Sequence, residues 1–164
     1  MSDYGSGGGI QTRNGTLTLT GCIVSGNQAV AGAGIASRYT ELTLTGCTIS
    51  DNTTASVSGQ AYYGGGLLLD VSFPFNVVDC TFEGNTASDG GAIYAVDYAG
   101  QIDPIGTIKN STLSGNTATQ AGGGISFSGI HHLDALIDSC TISGNTAPVG
   151  AAFRTAIISP LPRH

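Results

Sequence analysis

Short stretches of strict alternation recur along this chain. "LTLTG" stands at Leu17–Gly21 and again at Leu42–Gly46, and "FNVVDC", "GTIKNS" and "ALIDSC" follow further on. Apolar and polar positions alternate in each as they do in a strand with one buried face. A second alternating string that ends in asparagine comes next in every case: "CIVSGN" from Cys22, "CTISDN" from Cys47, "CTFEGN" from Cys80, "STLSGN" from Ser111 and "CTISGN" from Cys140. The asparagines are Asn27, Asn52, Asn85, Asn116 and Asn145, in steps of 25, 33, 31 and 29 residues. A glycine-rich apolar string, such as "GGAI" at Gly90–Ile93, closes each unit. The unit is three short strands and three turns, and its uneven length places the variation in loops on a fixed frame.

Self-similarity at such a period marks a stacked-repeat architecture. Three strands per unit with glycine and asparagine at the corners predict an all-β fold, a right-handed parallel β-helix (solenoid) of about five coils with uncapped ends. The expected organisation is a single domain over residues 1–156, with a partial first coil at 1–16, a partial last coil at 146–156 and an irregular tail at 157–164. Alternation turns Cys80, Phe82 and Asn85 inward and Thr81 and Glu83 outward. The inward columns then read Cys22, Cys47, Cys80, Ser111, Cys140 and Val24, Ile49, Phe82, Leu113, Ile142. Stacked asparagines at a turn satisfy one another and the corner backbone, so that column reads as scaffold. On the glycine-corner strand the outward row is Ala36, Leu68, Tyr94, Ser126 and Arg154, expected at the surface and without the carboxylate pair of a glycosidase.

"FEGN" (Phe82–Asn85) paired with "GGAI" (Gly90–Ile93) resembles the FxxN and GGAI repeat of the polymorphic outer-membrane protein family. "TISDN", "TLSGN" and "TISGN" keep the asparagine with an aliphatic residue in place of the aromatic. The resemblance implies a secreted or cell-surface β-helical autotransporter passenger that acts as an adhesin, with a cell-surface or glycan ligand as its partner. Fold alone does not fix function, since β-helices also carry lyases, hydrolases and phage fibres.

Composition removes several classes. With 26 glycines among 164 residues and 10% charged residues, the chain is too apolar for disorder. A net charge of −6 with five basic residues excludes a nucleic-acid backbone as partner. Met1–Ile10 lacks the basic and apolar stretches of a secretory signal, and no segment reaches the roughly 20 apolar residues of a membrane span. Repeats broken at "YGSGGGI" and "GAAF" predict open coil ends and an end-to-end homodimer. The cysteine column reads as a reduced, buried ladder, and the absence of CxxC argues against a zinc ribbon.

What remains is the set of connections after the glycine corners, "QTRNG", "SRYTE", "DVSFPFN", "VDYAGQIDP" and "SFSGIHHLD", expected as loops along one edge. Two readings of this edge stand. In the first, these are solvated loops of a structural or adhesive module without a cofactor. In the second, His131, His132 and Asp134 hold a divalent metal such as zinc, manganese or iron. Asp97 or Asp103 then takes a proton from the metal-bound water, and Arg38 or Tyr98 holds an anionic oxygen. That chemistry is metal-dependent hydrolysis of a small phosphoester, a phosphodiesterase-like enzyme.

Overall fold

The computed structural model describes residues 7–55, 62–70, 73–96, 105–130 and 134–157. All strand pairs in it are parallel, in three sheets of nine, five and four strands, and no helix occurs among the described residues. The five-stranded sheet carries the Cys-to-Asn strings, with strands Ile23–Ser25, Thr48–Ser50, Thr81–Glu83, Thr112–Ser114 and Thr141–Ser143 marking five coils. The four-stranded sheet follows the first four asparagines, as at Thr86–Asp89, and the nine-stranded sheet holds both the glycine-corner strands and the "LTLTG" strands. This is the right-handed parallel β-helix that the repeats predict, the hand being that of nearly all parallel crossovers.

The inward columns form the core. Ile49, Phe82 and Leu113 lie in register and are fully buried, while Val24 and Ile142 close that column at the outer coils. Leu44, Val77 and Ile108 form a parallel column on the opposite wall. The asparagines stack as an amide ladder. In each coil the backbone N–H and Nδ2 of one asparagine both donate to Oδ1 of the next, at 2.9–3.1 Å, from Asn27 through Asn145. The cysteine column carries four free thiols, with the Cys47 N–H donating to Cys80 Sγ and the Cys80 N–H to Ser111 Oγ. Burial pushes the Cys80 thiol pKa up, which keeps it protonated and inert.

Two expectations need correction. "QTRNG" and "SRYTE" are not loops: the chain runs straight through them in the strands Ile10–Thr20 and Ile35–Thr45. The kink in each strand falls at a left-handed residue, Asn14 at φ 63° and Tyr39 at φ 51°, with Gly15 at φ 111° following Asn14 in the first. The kinks fall opposite one another, between the register pairs Arg13↔Arg38 and Gly15↔Thr40, so the ladder resumes beyond them.

The outward row on the glycine-corner strand is likewise not at the surface. Ala36, Leu68, Tyr94 and Ser126 are all buried. At each corner the chain folds back on itself through a left-handed glycine, Gly64, Gly90 or Gly122. Residues just before it then face residues just after it across the outside of the rod. Ala31, Ala36, Leu68, Tyr94 and Val96 make a second, smaller apolar cluster there, with Tyr63 against it.

Candidate binding groove and loop edge

The outer corner is therefore a narrow groove with two walls, packed shut along most of its length. One wall is the end of the four-stranded sheet, with Tyr63 bridged to Asp89 and Asp89 in register with Ala121. The other is the row Leu68, Tyr94, Ser126, Arg154. Across the corner Tyr63 stacks on Tyr94, with ring centroids 4.4 Å apart and planes inclined by 28°. Further along, Arg154 Nη1 lies 3.5 Å from Asp89 Oδ1, an ion pair too poorly aligned to be a hydrogen bond. The Asp89 side chain is 9% exposed and that of Arg154 34%.

Burial pushes the Asp89 carboxyl pKa upward, and the nearby Arg154 offsets only part of that rise. The stabilisation linked to this group is thus fully present below the ordinary carboxylate pKa of about 4 and is lost as pH rises through the raised value. Asp89→Asn, which cannot ionise, is expected to be more stable than the parent at pH 7.5, with the difference closing towards pH 4. Urea unfolding at the two pH values measures it, and a pH-independent difference contradicts the burial argument.

The loop edge lies at the far end of the same strands. Asp70, Val96 and Ser128 are register neighbours, so the connections that follow leave from adjacent positions. They return side by side as well, with Ile105 paired to Asp134 and Gly106 to Phe75. Of the expected site residues, Arg38 lies half-buried on the strand Ile35–Thr45, and Asp134 opens the strand Asp134–Asp138. Asp97, Tyr98, Asp103, His131 and His132 lie outside the described residues. Near Arg38, buried Asp70 accepts a hydrogen bond from the Tyr39 N–H at 3.3 Å through Oδ2. The Arg13 guanidinium sits 5.9 Å above the Tyr39 ring, which meets Phe73 edge-on at 6.4 Å. Among the described residues no group of three His, Cys, Asp or Glu side chains is placed to hold a metal ion.

Sequence reasoning missed the groove. Its signal was present in apolar residues at nominally outward positions, Ala36, Leu68 and Tyr94, matched by Ala31 and Tyr63 just before the same corners.

The sequence profile of the right-handed beta helix region family matches residues 1–108. Comparison with curated proteins and with solved structures gave no significant match.

Proposed function

Because the chain belongs to the right-handed β-helix family, we propose that it is a structural and adhesive binding module of the kind carried by secreted autotransporter passengers. The observation that carries this reading is the groove outside the glycine corners. There a rigid, internally hydrogen-bonded rod holds stacked tyrosines and an acid–arginine pair outside the main core, with Tyr63 and Arg154 partly exposed. Rigid scaffolds with a few polar groups in an apolar recess are where ligands bind. The test is retention of the labelled chain on glycan arrays and cell surfaces. The expected result is binding that survives EDTA and the double variant His131→Ala/His132→Ala; binding that either treatment abolishes overturns a metal-free module.

One observation favours the second reading, a metal-dependent phosphoester hydrolase at the loop edge. The strands flanking segments 97–104 and 131–133 are register neighbours at both entry and exit. Near-stoichiometric metal in protein purified without chelator, with phosphodiester turnover that His132→Ala abolishes, is the outcome that selects it. Protein without metal or turnover rejects it.

A further inference from the structure

The first coil presents an edge that the rod leaves open. Its strand Ile10–Thr20 pairs on one side with Ile35–Thr45, and among the described residues no strand pairs with its other side. The inward residues show the consequence: Ile10, Leu17 and Leu19 are half-buried, whereas their register neighbours Ile35, Leu42 and Leu44 are fully buried. Beside them the mouth of the coil is a recess of about 310 Å³, lined by Ile10, Val24 and Asn27 among others. Proteins usually keep such an edge single with proline, lysine or a short strand. This strand has neither residue and runs for 11 residues.

The backbone says what pairs there. The Ile10 N–H donates to the Gly34 carbonyl and the Gly21 N–H to the Thr45 carbonyl, both at 2.9 Å, so these residues turn towards the second coil. Successive residues of a strand turn their backbone groups to opposite neighbours. Gln11 and Arg13 therefore face the open edge before the kink at Asn14 and Gly15, and Thr16 and Thr18 face it after, because the kink shifts the alternation by one residue. The inward side chains shift with it, from Ile10 and Thr12 to Leu17 and Leu19. Laid antiparallel, the strand is thus its own complement. Gln11 meets Thr18 of a second copy and Arg13 meets Thr16, each pair exchanging both backbone hydrogen bonds. The same register sets Ile10 against Leu19 and Thr12 against Leu17, inward to inward, with the two kinks opposed. Arg13, the one charged residue from Gly7 to Gly26, faces a threonine, so no like charges meet.

A copy stacked in the same direction does not fit. Its Ile10–Thr20 strand would have to lie on both Phe153–Ile157 and Asp134–Asp138. Asp134–Asp138 belongs to the coil of Ile125–Ile130, and Phe153–Ile157 lies one strand beyond that coil, a step of about 4.8 Å. One straight strand cannot rest on both levels.

We propose that the open edge of Ile10–Thr20 is the interface of a two-fold, head-to-head homodimer in which this strand pairs antiparallel with itself and joins two rods into one. Such an interface is isologous and closes at two copies. The assignment goes beyond the binding-module reading and does not depend on it.

Sedimentation of the intact chain gives the oligomeric state. The expected result is a dimer at micromolar concentration that dissociates on dilution. Thr18→Pro removes an N–H that the rod does not use, and a folded monomer with the circular dichroism of the parent is expected. Charge pairs test the register without touching a ladder hydrogen bond, so they decide even where the proline variant does not fold. In their own chain residues 11 and 18 stand at opposite ends of one strand beside Ala36 and Thr43, and they face one another only in the dimer. Gln11→Lys/Thr18→Lys is expected to weaken association by about tenfold and Gln11→Lys/Thr18→Glu to strengthen it by about tenfold. Amide exchange at Thr16 and Thr18 is expected to slow as concentration rises. A monomer at every concentration, assemblies that grow beyond two copies, or a dimer indifferent to both charge pairs overturns the interface.

Discussion

Replacing Asn85 with alanine is expected to destabilise the rod by about 4 kcal/mol, whereas the same change at Asn27 costs about 1 kcal/mol or less. In the interior, Asn85 Oδ1 accepts from both N–H and Nδ2 of Asn52, at 3.1 and 3.0 Å. Its own Nδ2 donates to the Ile49 carbonyl at 2.9 Å. Alanine leaves the Asn52 N–H buried and unpaired, takes from Asn52 Nδ2 one of its two bonds, the other being to the Val24 carbonyl, and removes a donor from the Ile49 carbonyl, each loss worth about 1–3 kcal/mol. The Asn116 oxygen keeps the Asn85 backbone N–H as a donor and does not add to the cost. Asn27 is half-exposed, and its Nδ2 bond to the Ser25 carbonyl lies at the surface, where water replaces what the side chain gave. Coils in a solenoid contact only their neighbours, so the damage in Asn85→Ala is expected to stay local. Urea unfolding gives the total, and amide hydrogen exchange at Asn52 and Asn85 gives its location. Equal costs at Asn85 and Asn27 mean that the ladder decorates the fold rather than holding it.

The same column shows why so much of the fold was legible in the sequence. Every coil repeats one alternation, so a single assignment of inward and outward faces at Cys80, Phe82 and Asn85 fixes the corresponding positions in all the others, and the core columns follow. The kinked strands were harder to read. Arg13, Asn14, Arg38 and Tyr39 look like loop residues, and nothing in one strand alone reveals that its neighbour kinks at the same step. The groove was hidden for a different reason. Alternation says which side of a sheet a residue occupies and does not say what lies against that side. Tyr94 and Ser126 point away from the core as their spacing requires, and they are buried because the corner brings the preceding sheet over them. At the loop edge the strands that flank the expected ligands fall into register, while Arg38 arrives on a strand instead of a loop.

Gly90→Ala is expected to cost about 4 kcal/mol, while Gly46→Ala, at nearly the same backbone angle, costs about 1–2 kcal/mol. Both glycines are left-handed, with φ of 64° and 61°. The penalty of that conformation for an L residue, roughly 1–2 kcal/mol, applies to each. The Gly46 position faces open space, with no atom within 4 Å of an added Cβ. Its equivalents in later coils, Asp79, Asn110 and Ser139, already carry side chains at φ 50–55°. At Gly90 the added carbon meets the Ile93 carbonyl oxygen at 2.5 Å and the Tyr94 Cα at 2.8 Å, both backbone atoms that cannot step aside. The corresponding corners at Gly32, Gly64, Gly122 and Gly150 are glycine without exception and are as crowded. Overpacking of about 1–3 kcal/mol therefore adds to the conformational term at Gly90 alone. The two urea midpoints separate these contributions, and near-equal shifts mean that the corner yields. The pinch that excludes a methyl group at Gly90 is also what closes Asp89 and Tyr63 onto Tyr94. A Gly90→Ala chain that folds is therefore expected to lose the Tyr63–Tyr94 stack, seen as altered tyrosine emission, before it loses the rod.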